Sequence, residues 1–282
     1  MSDLVVIFGP TACGKSARAV EIALERWGEV ISADSRQIYQ GFNIGTGKIT
    51  LAEMQGIPHH GIDIINPDQI YSAAKFALYA RAKIAEIQSR GKLPILCGGT
   101  GLYINSVIYD LEVPSFESDP HYQKALEEFR IAYGNQALWD RLQAVDPAYA
   151  LELHPNSYPY IMRWLEVFER TGRSKSSFRS ARTPRYVCEW IFPYSWDREW
   201  LYSQINIRVG AMFESGWIDE VKSLLANEIS RDAPAFNSLG YREVLAVLDG
   251  HLSVESAIEK VTQLSRNYAK RQITWQKRSL KK

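Results

Sequence analysis

The chain has 282 residues, 46% of them hydrophobic, and a net charge of +1, enough apolar material for a sizeable core and enough length for one large domain or a core with an insertion. No apolar run approaches the roughly 20 residues of a membrane span, and the N-terminus carries no basic-then-apolar signal, so a membrane or exported protein is not expected. Three cysteines without paired spacing argue against a disulfide or zinc framework and point to the cytoplasm.

In chain order, the apolar run Leu4-Val5-Val6-Ile7 reads as a strand leading into "FGPTACGKS" at residues 8–16, with a helix pattern over 16–27 behind it. Val30-Ile31 is a second strand, followed by Asp34, and the apolar stretch 61–65 reads as another. The adjacent His59 and His60 are read as structural, because neighbours on a strand point apart and no metal-ligand cluster accompanies them. Residues 71–88 form a long helix, then "LPILCGGTG" gives strand, turn and helix start. Strands alternating with helices predict an α/β fold, a P-loop NTPase-like parallel sheet flanked by helices. Residues 119–171 carry helical signals alone, and the strand-like "RYVCEWIFPY" returns to the sheet before helices starting near Asp197, Leu239 and Ser253. The expected division is a core of 1–112 and 185–282 with an all-helical insertion at 113–184.

The loop Gly9, Pro10, Thr11, Ala12, Cys13, Gly14, Lys15 and Ser16 has the composition of a phosphate cradle. Glycines let successive N–H groups turn inward, the helix N-terminus adds partial positive charge, Lys15 neutralises oxygens and Ser16 can ligate Mg²⁺. Cys13 has no His partner nearby and reads as a small filler. A kinase would also carry an apolar strand ending in a carboxylate, whereas "EVISAD" is polar at Ser32 and "LPILCGG" ends in glycine. Asp34, at a strand's C-terminal end beside the loop, is placed to act as a base, with an N-cap or Mg²⁺ ligand as its other readings.

Charge is uneven. Residues 170–185 hold six basic side chains and no acid, and 260–282 hold eight and no acid, a pattern that suits a polyanionic partner. In the helix from Asp197, Leu201, Ile205 and Met212 form an apolar stripe, and Arg208 falls among them, facing inward. In the last helix, Val261, Leu264, Tyr268 and Trp275 form the stripe, leaving Arg266, Lys270, Arg271, Lys277 and Arg278 on other faces.

The motifs "SADSRQIYQGFNIGTGK", "PHHGIDIINPDQIYSAAKF", "CGGTGLYI", "RWLEVFERTG", "INIRVGAMFESG", "LGYREV" and "NYAKRQITW" occur in the order found in tRNA dimethylallyltransferases, which the chain resembles over nearly its whole length. The resemblance implies transfer of a dimethylallyl group from its diphosphate to the exocyclic amine of the adenosine 3′ of the anticodon. It implies catalytic roles for Asp34 as base and for Arg208 as diphosphate clamp, with Thr11, Lys15 and the loop amides on the leaving group. tRNA contacts are implied for Asp34, Ser35, Arg36, Gln37, Thr100, Arg163, Gly240, Tyr241, Arg242, Lys270, Arg271, Gln272 and Lys277. The insertion is then expected to meet the anticodon stem, Mg²⁺ is the expected cofactor, and a monomer without membrane contact the expected form. The alternatives are a dimethylallyltransferase acting on free adenine nucleotides, which would need no large basic surface, and a P-loop small-molecule kinase.

Overall fold

The computed structural model describes residues 2–111, 118–178 and 180–280. It divides into two compact units, residues 1–108 with 185–282, and residues 109–184.

The first unit opens with β1 (Leu4–Phe8) and α1 (Lys15–Arg26), then β2 (Gly28–Ser32), the short α2 (Leu51–Met54), β3 (His59–His60), α3 (Ala73–Ser89), β4 (Leu93–Gly98) and α4 (Gly101–Ile108). The second unit contains β5 (Tyr109–Leu111), α5 (Pro120–Val145), α6 (Pro147–Ala150), α7 (Tyr158–Thr171) and β6 (Ser180–Pro184). The chain re-enters the first unit at β7 (Cys188–Ile191) and ends with α8 (Arg198–Glu214), α9 (Trp217–Ala226), α10 (Tyr241–Leu248) and α11 (Val254–Leu280). The sheet runs β3-β2-β4-β1-β7, and every pair in it is parallel. Its three middle strands are buried throughout most of their length, as strands covered on both faces must be; β1 and β4 are apolar without alternation, whereas β2 also buries Glu29 and Ser32.

On one face α1 buries Ala19, Ile22 and Ala23 against Val5, Ile7, Val30 and Ile95. A second core joins the segment after β2 to α8 through α11 and holds Phe42, Trp217, Phe236 and Tyr241 at no measurable exposure. Phe42 lies 4.8 Å from Tyr241 and 5.1 Å from Phe236, and Trp217 packs edge-on against Tyr241 at 5.3 Å. Each such ring contributes roughly 1.5–3 kcal/mol by leaving water, so this cluster ties the C-terminal helices to the sheet's carboxyl edge.

Residues 61–65 do not form the strand their apolarity suggests. Gly61 and Asp63 adopt left-handed φ values of 81° and 54°, which breaks the extended path, and the pairing left is an isolated bridge between Ile65 and Tyr39. The strand is instead β3, where His59 and His60 pair with Val30 and Ile31. The inward stripe of α11 also differs from expectation. Its buried positions are Ala257, Val261, Ser265, Ala269, Gln272 and Gln276, while Trp275 is exposed. In the second unit, β5 pairs with β6, so the division falls at 108 rather than 112. α5 is broken at Gly134, α7 packs on it through Leu126, Leu138, Leu142, Ile161 and Leu165, and Asp146 caps α6.

One ion cluster gathers around a buried carboxylate of the sheet. Glu29 of β2 meets His60, Arg90 and Lys92 at 2.8, 2.8 and 2.9 Å. Burial opposes its ionisation, but hydrogen bonds from His60, Lys92 and Arg90 outweigh this and pull its pKa down to about 2. A depressed carboxylate stabilises the fold fully above the unfolded-state value of about 4.3, and this contribution fades as pH falls toward 2. Glu29→Gln is therefore expected to lower Tm by a few degrees at pH 7, with the gap to the parent closing between pH 4 and 2 in calorimetry. A gap that does not change with pH would show that the charge is immaterial.

Candidate active site

Three neighbouring strands deliver the site. β1 ends in the loop 9–14, β2 leads through Ala33 to Asp34, and β4 ends at Gly98 before Gly99 and Thr100, all at the carboxyl edge where open α/β sheets bind ligands. α1 has no side-chain cap: Gly14 precedes it at φ 82°, and Ala12 also sits left-handed at φ 62°. Alternating handedness turns backbone N–H groups to one side, and an uncapped helix start leaves its first N–H groups for an anion. Lys15 Nζ donates to the Pro10 carbonyl and lies 4.0 Å from Cys13 Sγ. Cys13 is buried, as a filler should be.

The loop is braced from α11. The Thr11 N–H donates to Gln272 Oε1 at 2.7 Å, and Gln272 Nε2 donates to the Gly99 carbonyl at 3.0 Å. Gln272 thus holds the phosphate loop against the end of β4 with both ends of its amide occupied, which leaves it unsuited to the RNA contact expected of it. Tyr241 and Gly240 are likewise core residues. Tyr241 donates to Glu220 at 2.7 Å, and a Cβ on Gly240 would stand 2.2 Å from the Trp217 ring.

A cavity open to solvent lies beyond the loop within the first unit. Its polar lining includes Thr11, Lys15, Ser16, Asp34, Arg36, Gln37 and Arg208, and its apolar lining includes Ile205, Val209, Met212, Trp217, Leu239 and Val261. Asp34 is half-buried, and its Oδ1 accepts the Arg36 N–H at 2.8 Å. The Ser35 N–H donates to Thr100 Oγ1 at 3.1 Å. Gln37 donates to the Gly47 carbonyl at 3.1 Å and accepts from Ser32 Oγ at 3.0 Å. Arg208 reaches across from α8: Nη1 donates to Thr11 Oγ1 at 3.4 Å and Nη2 to the Gly47 carbonyl at 3.3 Å. Burial pulls the Arg208 pKa below its ordinary value, against the opposing pull of Asp34, Cys13 and Glu53.

Sequence reasoning missed Tyr268 as a site residue. It lines the cavity, its ring lies 5.6 Å from the Arg271 guanidinium, and burial pushes its phenol up to about 12, so it stays a neutral donor. Its spacing with Val261, Ser265 and Gln272, which also line the cavity, was the available signal, hidden because two of the four are polar. Lys270, Arg271, Arg242 and Lys277 are exposed; Arg242 donates to Asn237 at 3.2 Å and Lys277 lies 5.3 Å from the Trp196 ring. Arg163, in the second unit, bonds the buried Glu166 at 2.8 Å.

Among the described residues no cluster of three His, Cys, Asp or Glu could cage a metal. The donor set, one hydroxyl at Ser16 beside a phosphate cradle, fits Mg²⁺ carried by substrate phosphates and waters.

The strand β4 ends in Cys97 and Gly98, where a nucleotide hydrolase of this fold would present a carboxylate, and the cavity continues into aliphatic and aromatic walls. The class so defined is a P-loop enzyme whose phosphorylated substrate carries an apolar group. A profile described as IPP transferase matches residues 37–279, and the chain belongs to this family. It is 45% identical over 277 residues to a tRNA dimethylallyltransferase of Thermoanaerobacter sp. strain X514, covering 97% of this chain and 88% of that protein. A relative from Halalkalibacterium halodurans bears the same name at 44% identity, covering 96% and 87%. The crystal structure of the full-length tRNA isopentenylpyrophosphate transferase of Bacillus halodurans superposes with a TM-score of 0.69 at 43% identity, covering 97% of this chain and 86% of that one. A eukaryotic dimethylallyltransferase acting on tRNA gives a TM-score of 0.80 at 29% identity, over 96% and 69% of the two chains.

Proposed function

We propose that the protein transfers a dimethylallyl group from dimethylallyl diphosphate to the N6 amine of the adenosine 3′ of the anticodon in tRNA, releasing diphosphate. The observation that carries this is a single cavity that joins a phosphate loop and Arg208 to an apolar wall, with the Asp34 carboxylate on its lining. The names of the relatives support the same reading.

In the reaction the amine lone pair forms a bond to the allylic carbon as the carbon–oxygen bond to diphosphate breaks, and that electron pair leaves with the diphosphate. Asp34 takes the proton from N6. Lys15, Thr11, the loop amides and Arg208 hold the oxygens on which charge accumulates. Mg²⁺, bound to the diphosphate beside Ser16, would supply further neutralisation. An adenosine stacked in an anticodon loop must be extruded to bring its amine to the Asp34 carboxylate in the cavity, and Arg36, Thr100 and the exposed cations of α11 are the groups suited to guiding it. Arg242 belongs to the same surface, and Arg163 of the insertion is taken separately as a further tRNA contact. The protein acts as a cytoplasmic monomer in this reading, which three free thiols suit.

The deciding assay supplies labelled dimethylallyl diphosphate with unmodified tRNA, AMP or ATP; label on tRNA is expected, and label on AMP or ATP alone would transfer the activity to free nucleotides. For the RNA surface, neutralising Lys270 and Arg271 together is expected to weaken tRNA binding and reduce the slope of log affinity against log salt by up to about two units. An unchanged slope in filter binding would move the RNA surface off α11.

A further inference from the structure

We infer that Glu220, which lies outside the cavity, is a positioning residue for the diphosphate clamp: by gripping the loop 43–48 it sets where the Arg208 guanidinium stands. The inference rests on the reading of Arg208 as the leaving-group clamp.

Glu220 sits in the first turn of α9. Its Oε2 accepts two successive backbone N–H groups, from Asn43 at 2.9 Å and Ile44 at 2.7 Å, and its Oε1 accepts the Tyr241 hydroxyl at 2.7 Å. Bonds to an ionised acceptor are the stronger kind, and Tyr241, wholly buried, fixes the carboxylate to the core. The far end of the loop is anchored by Lys48, whose ammonium donates to the Tyr39 carbonyl at 2.9 Å and to Asp63 at 2.5 Å. Between these anchors the loop closes on itself, with the Gly47 N–H on the Ile44 carbonyl at 2.9 Å and the Lys48 N–H on the Asn43 carbonyl at 3.0 Å.

What the loop offers the site is the Gly47 carbonyl, which Arg208 and Gln37 both use. The guanidinium lies directly on this backbone: a Cβ at Gly47 would fall 1.6 Å from Nη2, and the residue sits at φ 58°. At 3.3 and 3.4 Å, the two bonds of Arg208 are long, so its place depends on the wall it rests on more than on its own bonds. A loop that shifts therefore carries the guanidinium with it. Glu220 can reach the substrate through this loop, since its own carboxylate has no place in the lining.

The test is a double-mutant cycle on the full chain, with dimethylallyl diphosphate and unmodified tRNA. Glu220→Asp withdraws the carboxylate by one methylene, and is expected to lower kcat/KM for dimethylallyl diphosphate about tenfold or more while KM for tRNA stays within about twofold. Glu220→Gln, which keeps an oxygen for the two amides, should recover most of that loss. Combined with Arg208→Lys, Glu220→Asp should cost no more than the larger single change, the mark of two residues acting as one. Losses that multiply, or KM values for both substrates rising together, would reduce Glu220 to a structural role. Gly47→Ala attacks the same guanidinium from the loop side and should merge with Arg208→Lys in the same way, which decides the case should Glu220→Asp fail to fold. The same cycle measured as affinity for inorganic diphosphate by calorimetry stands apart from the prenyl-transfer reading: if the parent binds diphosphate but transfers no label, the reading fails while coupling still tests Glu220.

Discussion

Asp34→Asn lowers the single-turnover rate of prenyl transfer at saturating substrates by about 10²–10⁴, the range over which a positioned general base contributes. The substitution is nearly isosteric and keeps Oδ1, the atom that accepts the Arg36 N–H at 2.8 Å, so the turn after β2 keeps its shape. It removes the charge that would receive the N6 proton. An aromatic amine is a weak nucleophile until that proton has somewhere to go, so the loss belongs to the chemical step and tRNA affinity should change little. Were Asp34 a cap alone, the amide oxygen would serve equally and the rate would hold. A single-turnover rate within a few-fold of the parent would dismiss Asp34 as the base.

The parts of this site that could be read from the sequence are those built from neighbours in the chain. The phosphate loop declares itself because Gly9, Gly14, Lys15 and Ser16 must follow one another for backbone N–H groups to converge, and Arg208 declares itself because the period of α8 places it beside Ile205 and Met212. What periodicity reports is burial, and it fails where burial is polar. The inner face of α11 carries Ser265, Gln272 and Gln276, of which Gln272 bonds the backbone of two loops, and a stripe sought among apolar residues lands on Trp275 instead. The stretch 61–65 misleads for the opposite reason: its isoleucines are apolar, but Gly61 and Asp63 turn the backbone left-handed. The grip of Glu220 on the loop 43–48 spans 176 residues of sequence at its shorter bond, a relation that no local pattern carries.

Arg208→Ala is expected to reduce kcat/KM for dimethylallyl diphosphate by about 10²–10³, the loss seen when a preorganised donor to developing negative charge is removed. Its surroundings argue for this. Among the described residues no carboxylate forms an ion pair with Arg208; its partners are a hydroxyl and a carbonyl, at Thr11 and Gly47. A half-buried cation satisfied by neutral groups alone is costly unless a ligand brings the anion, and the planar guanidinium fork suits phosphate oxygens two at a time. As the bond from carbon to diphosphate lengthens, charge grows on the oxygens Arg208 would hold, so the interaction strengthens toward the transition state and the loss should fall more on kcat than on KM. Arg208→Lys restores the charge without the fork and should recover no more than about one decade. Removing the cation from its neutral seat should leave thermal stability unchanged or slightly raised. A variant that melts several degrees lower while keeping full catalytic efficiency would mark Arg208 as a structural residue and leave the diphosphate to the loop and Lys15.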